Sequence, residues 1–217
     1  MNHTITLKDI SAMAGERLLF KHIDLSVGNR EKIAIIGNNG IGKTTLLEII
    51  AGLKEPNSGE IKLFGKHISN LKDYKIYRKD IGYLFQNSDD QFICPNVLDD
   101  VSFSLLANGV DRNLAYEMTK NILNEFGIWH LKDEIVFHLS GGEKKLVAIA
   151  GVLIYNPKII LLDEPTSGLD IKVQEKVAKL LSNLDVAQII VSHNENFINK
   201  VVDKIFYLTK DGLENIN

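Results

Sequence analysis

Lys32-Ile33-Ala34-Ile35-Ile36-Gly37-Asn38-Asn39-Gly40-Ile41-Gly42-Lys43-Thr44-Thr45 decides how the rest of the chain is read. Its first five residues form the short apolar run expected of a strand buried on both faces, and the residues from 43 to 51 take up helical spacing. Between them the pattern G-x-x-x-x-G-K-[ST] stands where a phosphate-binding loop has to stand, directly after a buried strand and directly before a helix. At average residue usage the four fixed positions coincide by chance in about 1 in 30,000 windows, so an accidental match in one chain of this size is negligible. The chemistry follows from the spacing. Glycines let backbone N–H groups wrap phosphate oxygens, the helix N-terminus adds positive potential, Lys43 brings a mobile charge towards the β and γ phosphates, and the Thr44 hydroxyl is placed to ligate Mg²⁺. Residues Gly37 to Thr45 are therefore the expected nucleotide contacts.

A second apolar run, residues 158–163, ends in Asp163-Glu164-Pro165. It reads as another buried strand that delivers two carboxylates at its C-terminal end, where ligands bind in open α/β sheets. Asp163 is expected to hold Mg²⁺ through water, and Glu164, one residue farther out, to polarise the water that attacks the γ phosphate. His193 follows a third buried run, residues 187–191, and so emerges at the same sheet edge, where an imidazole can contact the γ phosphate and orient that water.

Around these motifs the pattern alternates strand and helix, the signature of an α/β fold. Alternation in residues 4–10 and 23–27 predicts antiparallel strands, and helical spacing is found over 99–107, 111–126, 142–155 and 173–184. A short strand over 82–85 leads into the polar stretch QNSDDQ, after which helical patterns dominate to residue 139. This predicts a helical insertion, approximately residues 87–155, within a single domain of 217 residues. With 45% apolar residues, the chain can bury a sizeable core. A net charge of −3, dispersed along the sequence, argues against a nucleic-acid partner. There is no leader pattern and no stretch of roughly 20 apolar residues, so a soluble protein is expected. The single cysteine, Cys94, permits no internal disulfide and has no metal-ligand neighbour.

Leu139-Ser140-Gly141-Gly142-Glu143 opens a helix, and taken with the elements above it resembles the LSGGQ signature of ABC-family ATPases, with Glu in the last place. Gln86 fits the family's Q-loop glutamine, Ser167-Gly168-Leu169-Asp170 its D-loop, and His193 its switch histidine, so the resemblance spans nearly the whole chain. It implies a P-loop NTPase fold of the ABC type: a mixed sheet core with an antiparallel β subdomain and a helical subdomain. ATP and Mg²⁺ are the implied cofactors, with Gln86 among the groups around the metal and the catalytic centre. A Ser hydroxyl and the free N–H groups of a helix N-terminus make an anion site, and the chain already has one in its glycine loop. In the family, Ser140, Gly141, Gly142 and Glu143 would serve the γ phosphate of an ATP bound to the other subunit of a head-to-tail dimer, as homodimer or as heterodimer with a paralogue.

Phe85-Gln86-Asn87-Ser88-Asp89-Asp90-Gln91-Phe92 and the LDDVSF that follows look like the FQNPDDQ pattern of ATPases from energy-coupling factor importers and their cobalt or nickel relatives. That likeness implies a groove beside Gln86, Asp89, Asp90, Gln91 and Phe92 that receives a coupling helix from a transmembrane scaffold subunit. A substrate-binding membrane component and a location at the cytoplasmic face of the membrane are also implied. The short polar end after Leu208 points to the metal-importer branch. An exporter ATPase, or a soluble ABC protein without a membrane partner, are the other readings. The sequence departs from the family at residues 11–15, Ser-Ala-Met-Ala-Gly, where an aromatic residue commonly stacks on adenine. Met13 is the expected substitute contact. Ser88 replaces the usual Pro, and Lys145-Leu146 replaces a more basic pair.

Overall fold

The computed structural model describes residues 3–216. Two sheets divide the strands. The first is antiparallel, with spatial order β2 (Arg17–Gly28), β1 (His3–Ala14), β4 (Ser58–Leu63), β5 (Lys66–Ile68). In the second, β9 (Lys204–Leu208), β3 (Lys32–Ile36), β8 (Ala187–Val191), β7 (Ile159–Asp163) and β6 (Ile81–Leu84) run parallel in that order. The hairpin strand β10 (Leu213–Asn215) adds antiparallel to β9.

The parallel strands are apolar along most of their length because both their faces are covered. Ile33 and Ile35 of β3 point into one cluster, shared with β1, β2 and α1 (Lys43–Ala51). Ala34 points into the other, shared with the helices on the far side. The same split separates Ile159 and Leu161 from Ile160 and Leu162 on β7. The second cluster is built from α2 (Val97–Ala107), α3 (Arg112–Glu125), α4 (Gly141–Leu153), α5 (Ile171–Asn183) and α6 (Glu195–Val201).

Local chemistry sets the helix ends. Asp111, Asp170 and Asn194 each accept backbone N–H bonds as N-caps of α3, α5 and α6. Ser140 and Glu143 form a reciprocal capping box at the start of α4. Between β6 and β7 the regular elements of the described chain are all helices or 3-10 turns, apart from one isolated bridge, Asn96 with Ile135. The polar stretch QNSDDQ contains a 3-10 turn over Ser88–Asp90, capped by Asn87, with Ser88 buried. Among the described residues, no helix is long and apolar enough to cross a membrane.

Candidate nucleotide site

The carboxyl ends of β3, β6, β7 and β8 lie along one edge of the parallel sheet, so the segments that leave them gather there. From β3, the chain turns through Gly37 at φ 149 and Gly42 at φ 108, backbone conformations that side chains rarely adopt. A Cβ on Gly37 would lie 2.7 Å from the Leu208 carbonyl oxygen of β9, so this glycine also lets the loop lie against its neighbour strand. Lys43 folds back over the loop, its Nζ donating to the carbonyls of Gly37 at 2.7 Å and Asn38 at 3.1 Å. Burial lowers its pKa, against the raising influence of Glu164 and Asp163. Phosphate oxygens are the acceptors such an ammonium would exchange for those carbonyls.

Asp163, the last residue of β7, is 1% exposed and accepts a 2.6 Å hydrogen bond from the Thr44 hydroxyl. Burial raises its pKa, while the Thr44 bond and the charges of Lys43 and Lys145 oppose the shift. A hydroxyl and a carboxylate converging beside a phosphate loop are hard oxygen donors suited to Mg²⁺, which takes one or two carboxylates and completes its shell with water and phosphate. The residues present therefore fit that ion.

Glu164 leaves the strand at φ 47, an unfavourable angle for a non-glycine residue, while its N–H still bonds Val191 O on β8. Its carboxylate is pushed up in pKa by burial and pulled back by His193, whose Nε2 lies 3.5 Å from Oε1. That Oε1 is buried without a hydrogen-bond partner. An orphaned acceptor of this kind is where a bound water would donate a proton.

Lys43, Thr44, Gln86, Asp163, Glu164 and His193 all line one cleft of about 830 Å³, the size range of small-molecule sites. Asn39, Gly40, Gly42, Thr45, Ser167 and Gly168 line it too. Asn38 meets it through its carbonyl's bond to Lys43, and Ile41 packs partly buried against the core. Leu169 is buried and Asp170 caps α5. Ser140, Gly141, Gly142 and Glu143 are not on this lining. The Ser140 N–H and hydroxyl donate instead to Glu143 Oε2, at 2.9 and 2.6 Å.

Two residues here escape sequence reasoning. Arg17, across the hairpin turn from Ala14, lines the cleft with Leu19 and donates from Nη2 to Gly40 O at 3.2 Å. Met13, the expected base contact, is not on the lining; its N–H bonds Asn57 and it pairs with Leu18 in the hairpin. The correction is geometric, since the hairpin pairs Met13 with Leu18 and leaves Ala14, Arg17 and Leu19 on the lining. Lys145, 3% exposed, reaches from α4 to the carbonyls of Phe85 and Gln86.

A second cleft, of about 670 Å³, opens between β6 and helices α2 and α4, with Ile76, Arg78, Tyr83, Gln91, Ser104 and Asn108 on its lining. Of the five residues expected beside a docking groove, Gln91 lies here, its amide bridging Tyr83 O and Phe85 N–H. Gln86 faces the phosphate-side cleft. Asp89 pairs with Lys144 at 2.7 Å, Asp90 is exposed, and Phe92 meets the edge of Phe137.

Comparison with known proteins places the chain in a family. The family model described as ABC transporter matches residues 20–167. An ABC transporter ATP-binding protein of Brucella suis is 43% identical over 98% of this chain and 89% of its own length. The energy-coupling factor transporter ATP-binding protein EcfA of Methanothermobacter thermautotrophicus is 36% identical over 88% of this chain and 63% of its own. Among solved structures, cbiO1 of Clostridium perfringens, part of the transporter complex cbiONQ, superposes with a TM-score of 0.86 at 31% identity over 99% of this chain and 88% of that one. The MJ0796 cassette, a dimer in a post-hydrolysis state with ADP and Pi, gives 0.87 at 28% identity over 98% and 99%. A phosphate loop, a carboxylate pair and a histidine in one cleft, with this match around them, lead to one conclusion: the chain belongs to the ABC transporter family, as an ATP-hydrolysing subunit similar to the EcfA and CbiO ATPases.

Proposed function

We propose that two copies of the chain close head-to-tail on two Mg-ATP, and that this closure drives an importer of the energy-coupling factor or CbiO type, carrying cobalt or nickel ions or vitamins. One observation carries the two-copy reading: the anion-binding start of α4 is not on the lining of the cleft that holds Lys43. A second copy would supply it. In this arrangement Lys43 and the loop amides hold the β and γ phosphates, Thr44, Gln86 and Asp163 hold Mg²⁺, and Glu164 takes the proton of the attacking water while His193 orients it. Ser140 to Gly142 of the partner copy cover the γ phosphate, and residues 167–170 sit at the dimer seam. Mg²⁺, when bound, neutralises charge that develops on the transferred phosphoryl group.

The helical segment between β6 and β7 acts as the lever. Its cleft beside Gln91, with the unpartnered Ser104 hydroxyl on its lining, offers a concave seat for a short helix of a transmembrane scaffold subunit at the cytoplasmic face of the membrane. The likeness to cbiO1, which is part of a multi-subunit complex, supports the importer reading.

Glu164→Gln tests the catalytic half. It should bind ATP, lose roughly 10²–10⁴-fold in turnover, and accumulate as a dimer. A monomeric ATP-bound variant with normal turnover refutes both the base and the dimer. Co-purification from membranes tests the importer half: a small hydrophobic scaffold subunit supports it, whereas an exporter permease or no membrane protein overturns it.

A further inference from the structure

Lys145 is a buried cation that the scheme above leaves unused. It sits one turn inside α4, directly before the apolar run from Leu146 to Leu153, and is 3% exposed. Burying an ammonium is costly unless its donors find acceptors. The acceptors it finds are not carboxylates. Its Nζ donates to Gln86 O at 2.9 Å and, more loosely, to Phe85 O at 3.4 Å.

Those carbonyls belong to the two residues that follow β6, the edge strand of the sheet, where ladder pairing with β7 stops at Leu84. The same short segment is held on its other side by Gln91, which accepts from Phe85 N–H at 3.1 Å. One residue earlier on α4, Lys144 pairs with Asp89. The exit from β6 is thus gripped from α4 at an inner and an outer point. The outer grip is a partly exposed ion pair near the surface, of the kind worth little. The inner one is desolvated and bonds to the backbone of the residue whose side chain faces the nucleotide cleft.

We propose that Lys145 is a positioning residue for Gln86: by clamping the Gln86 carbonyl it fixes the rotation of that peptide and so holds the side-chain amide at the magnesium end of the cleft. An ammonium suits this role because it presents three donors on a compact centre and can follow two carbonyls as the segment shifts. The inference rests on the assignment of Gln86 to magnesium given above.

The test uses the full chain and the variants Lys145→Met, Lys145→Arg, Gln86→Ala and the double variant Lys145→Met/Gln86→Ala. Met keeps the length and apolar stem but donates no hydrogen bond. Two measurements are made: the Mg²⁺ dependence of ATPase activity at saturating ATP, and binding of a fluorescent ATP analogue with and without Mg²⁺. Lys145→Met should raise the Mg²⁺ concentration for half-maximal activity about tenfold and weaken binding only when Mg²⁺ is present, with Mg²⁺-free binding unchanged. Lys145→Arg should recover most of the loss. In the double variant the effect of Lys145→Met should vanish, because the side chain it positions is gone. If Gln86→Ala leaves the Mg²⁺ dependence unchanged, the assignment of Gln86 itself fails. If Gln86→Ala behaves as expected but Lys145→Met is silent, or if its loss multiplies that of Gln86→Ala, the positioning role is overturned and Lys145 is structural only. Should Lys145→Met not fold, Lys145→Leu, which also donates no hydrogen bond, carries the same comparison.

Discussion

Glu143→Gln should tighten the ATP-driven dimer, because the glutamate now holds the donors that a trans γ phosphate would need. Its Oε2 takes the Ser140 hydroxyl at 2.6 Å and the Ser140 N–H at 2.9 Å, and these bonds lower its pKa, so it carries its charge at neutral pH. A phosphate oxygen competing for the same donors comes within about 4 Å of the carboxylate. At that distance two unit charges repel by about 1 kcal/mol in water and about 4 kcal/mol at the screening of a protein surface. Because the group is partly exposed, the lower figure is the relevant one. Two equivalent sites then give about 2 kcal/mol, or roughly 30-fold in the dimer dissociation constant. The cost falls on the monomer. The stabilisation from a depressed carboxylate pKa is fully present above the unfolded value of 4.5 and is lost as pH falls through the folded one. Removing the charge at pH 7 should therefore cost the helix start about 1 kcal/mol, or about 2–4 °C in Tm. The assay is sedimentation equilibrium with Mg-ATP in a Glu164→Gln background, at low and high salt. The expected result is a dimer about 30-fold tighter at low salt, with an advantage that shrinks as salt screens the repulsion. An equal or weaker dimer at both salt concentrations refutes the competition.

Other outcomes follow from the site and the core. Thr44→Val removes the hydroxyl bonded to Asp163 and should raise the Mg²⁺ requirement of the ATPase about tenfold or more, while Mg²⁺-free nucleotide binding stays within twofold; an unchanged Mg²⁺ titration refutes the ligand assignment. Burial raises the pKa of Glu164, so its ionised form burdens the folded state. That burden is absent below the unfolded value of 4.5 and complete above the raised folded value. Glu164→Gln should accordingly melt higher than the parent chain at pH 7–8 and the same near pH 4, and a melting difference independent of pH contradicts this. Gly52, the C-cap of α1 at φ 70, has the buried Tyr74 ring 2.3 Å from where a Cβ would lie. Gly52→Ala should cost roughly 2–4 kcal/mol in denaturant unfolding from strain and overpacking together; a loss below about 1 kcal/mol refutes the close approach.

The catalytic edge was legible because its chemistry is local. A buried run followed by a glycine loop, or by Asp163-Glu164, carries its own context. The interiors of α3, α4 and α5 were read from spacing, and their ends differ by one or two residues where the caps Asp111, Ser140 and Asp170 intervene. Strand pairing in the antiparallel sheet was less visible. Between Leu7 and Ile10 the register slips, with Asp9 and His22 both at positive φ and bonded to each other, so period-2 alternation breaks in the middle of both long strands. Strands β4, β5 and β10 are too short, or too exposed on one face, for a pattern to emerge. Helix α6 has only seven residues. The contacts of Arg17 and Lys145 had no pattern to show them because they depend on the chain folding back: Arg17 onto the loop at Gly40, Lys145, noted only as a departure from the family, onto the exit of β6.

The sheet order also governs how the chain is born. Strand β3, which launches the phosphate loop, lies between β8 and β9, and Lys32 N–H is held by Asp203, 171 residues later. At about 5–20 residues per second of synthesis, roughly 10–30 s pass between the emergence of β3 and that of its neighbours. Throughout that interval an apolar strand stands unpaired on both edges, and the loop after it has no sheet to hold its curvature. The strand that launches the phosphate loop therefore gains both its neighbours only once residues 187–208 have been made, which makes that late segment the partner the loop depends on for its place in the sheet.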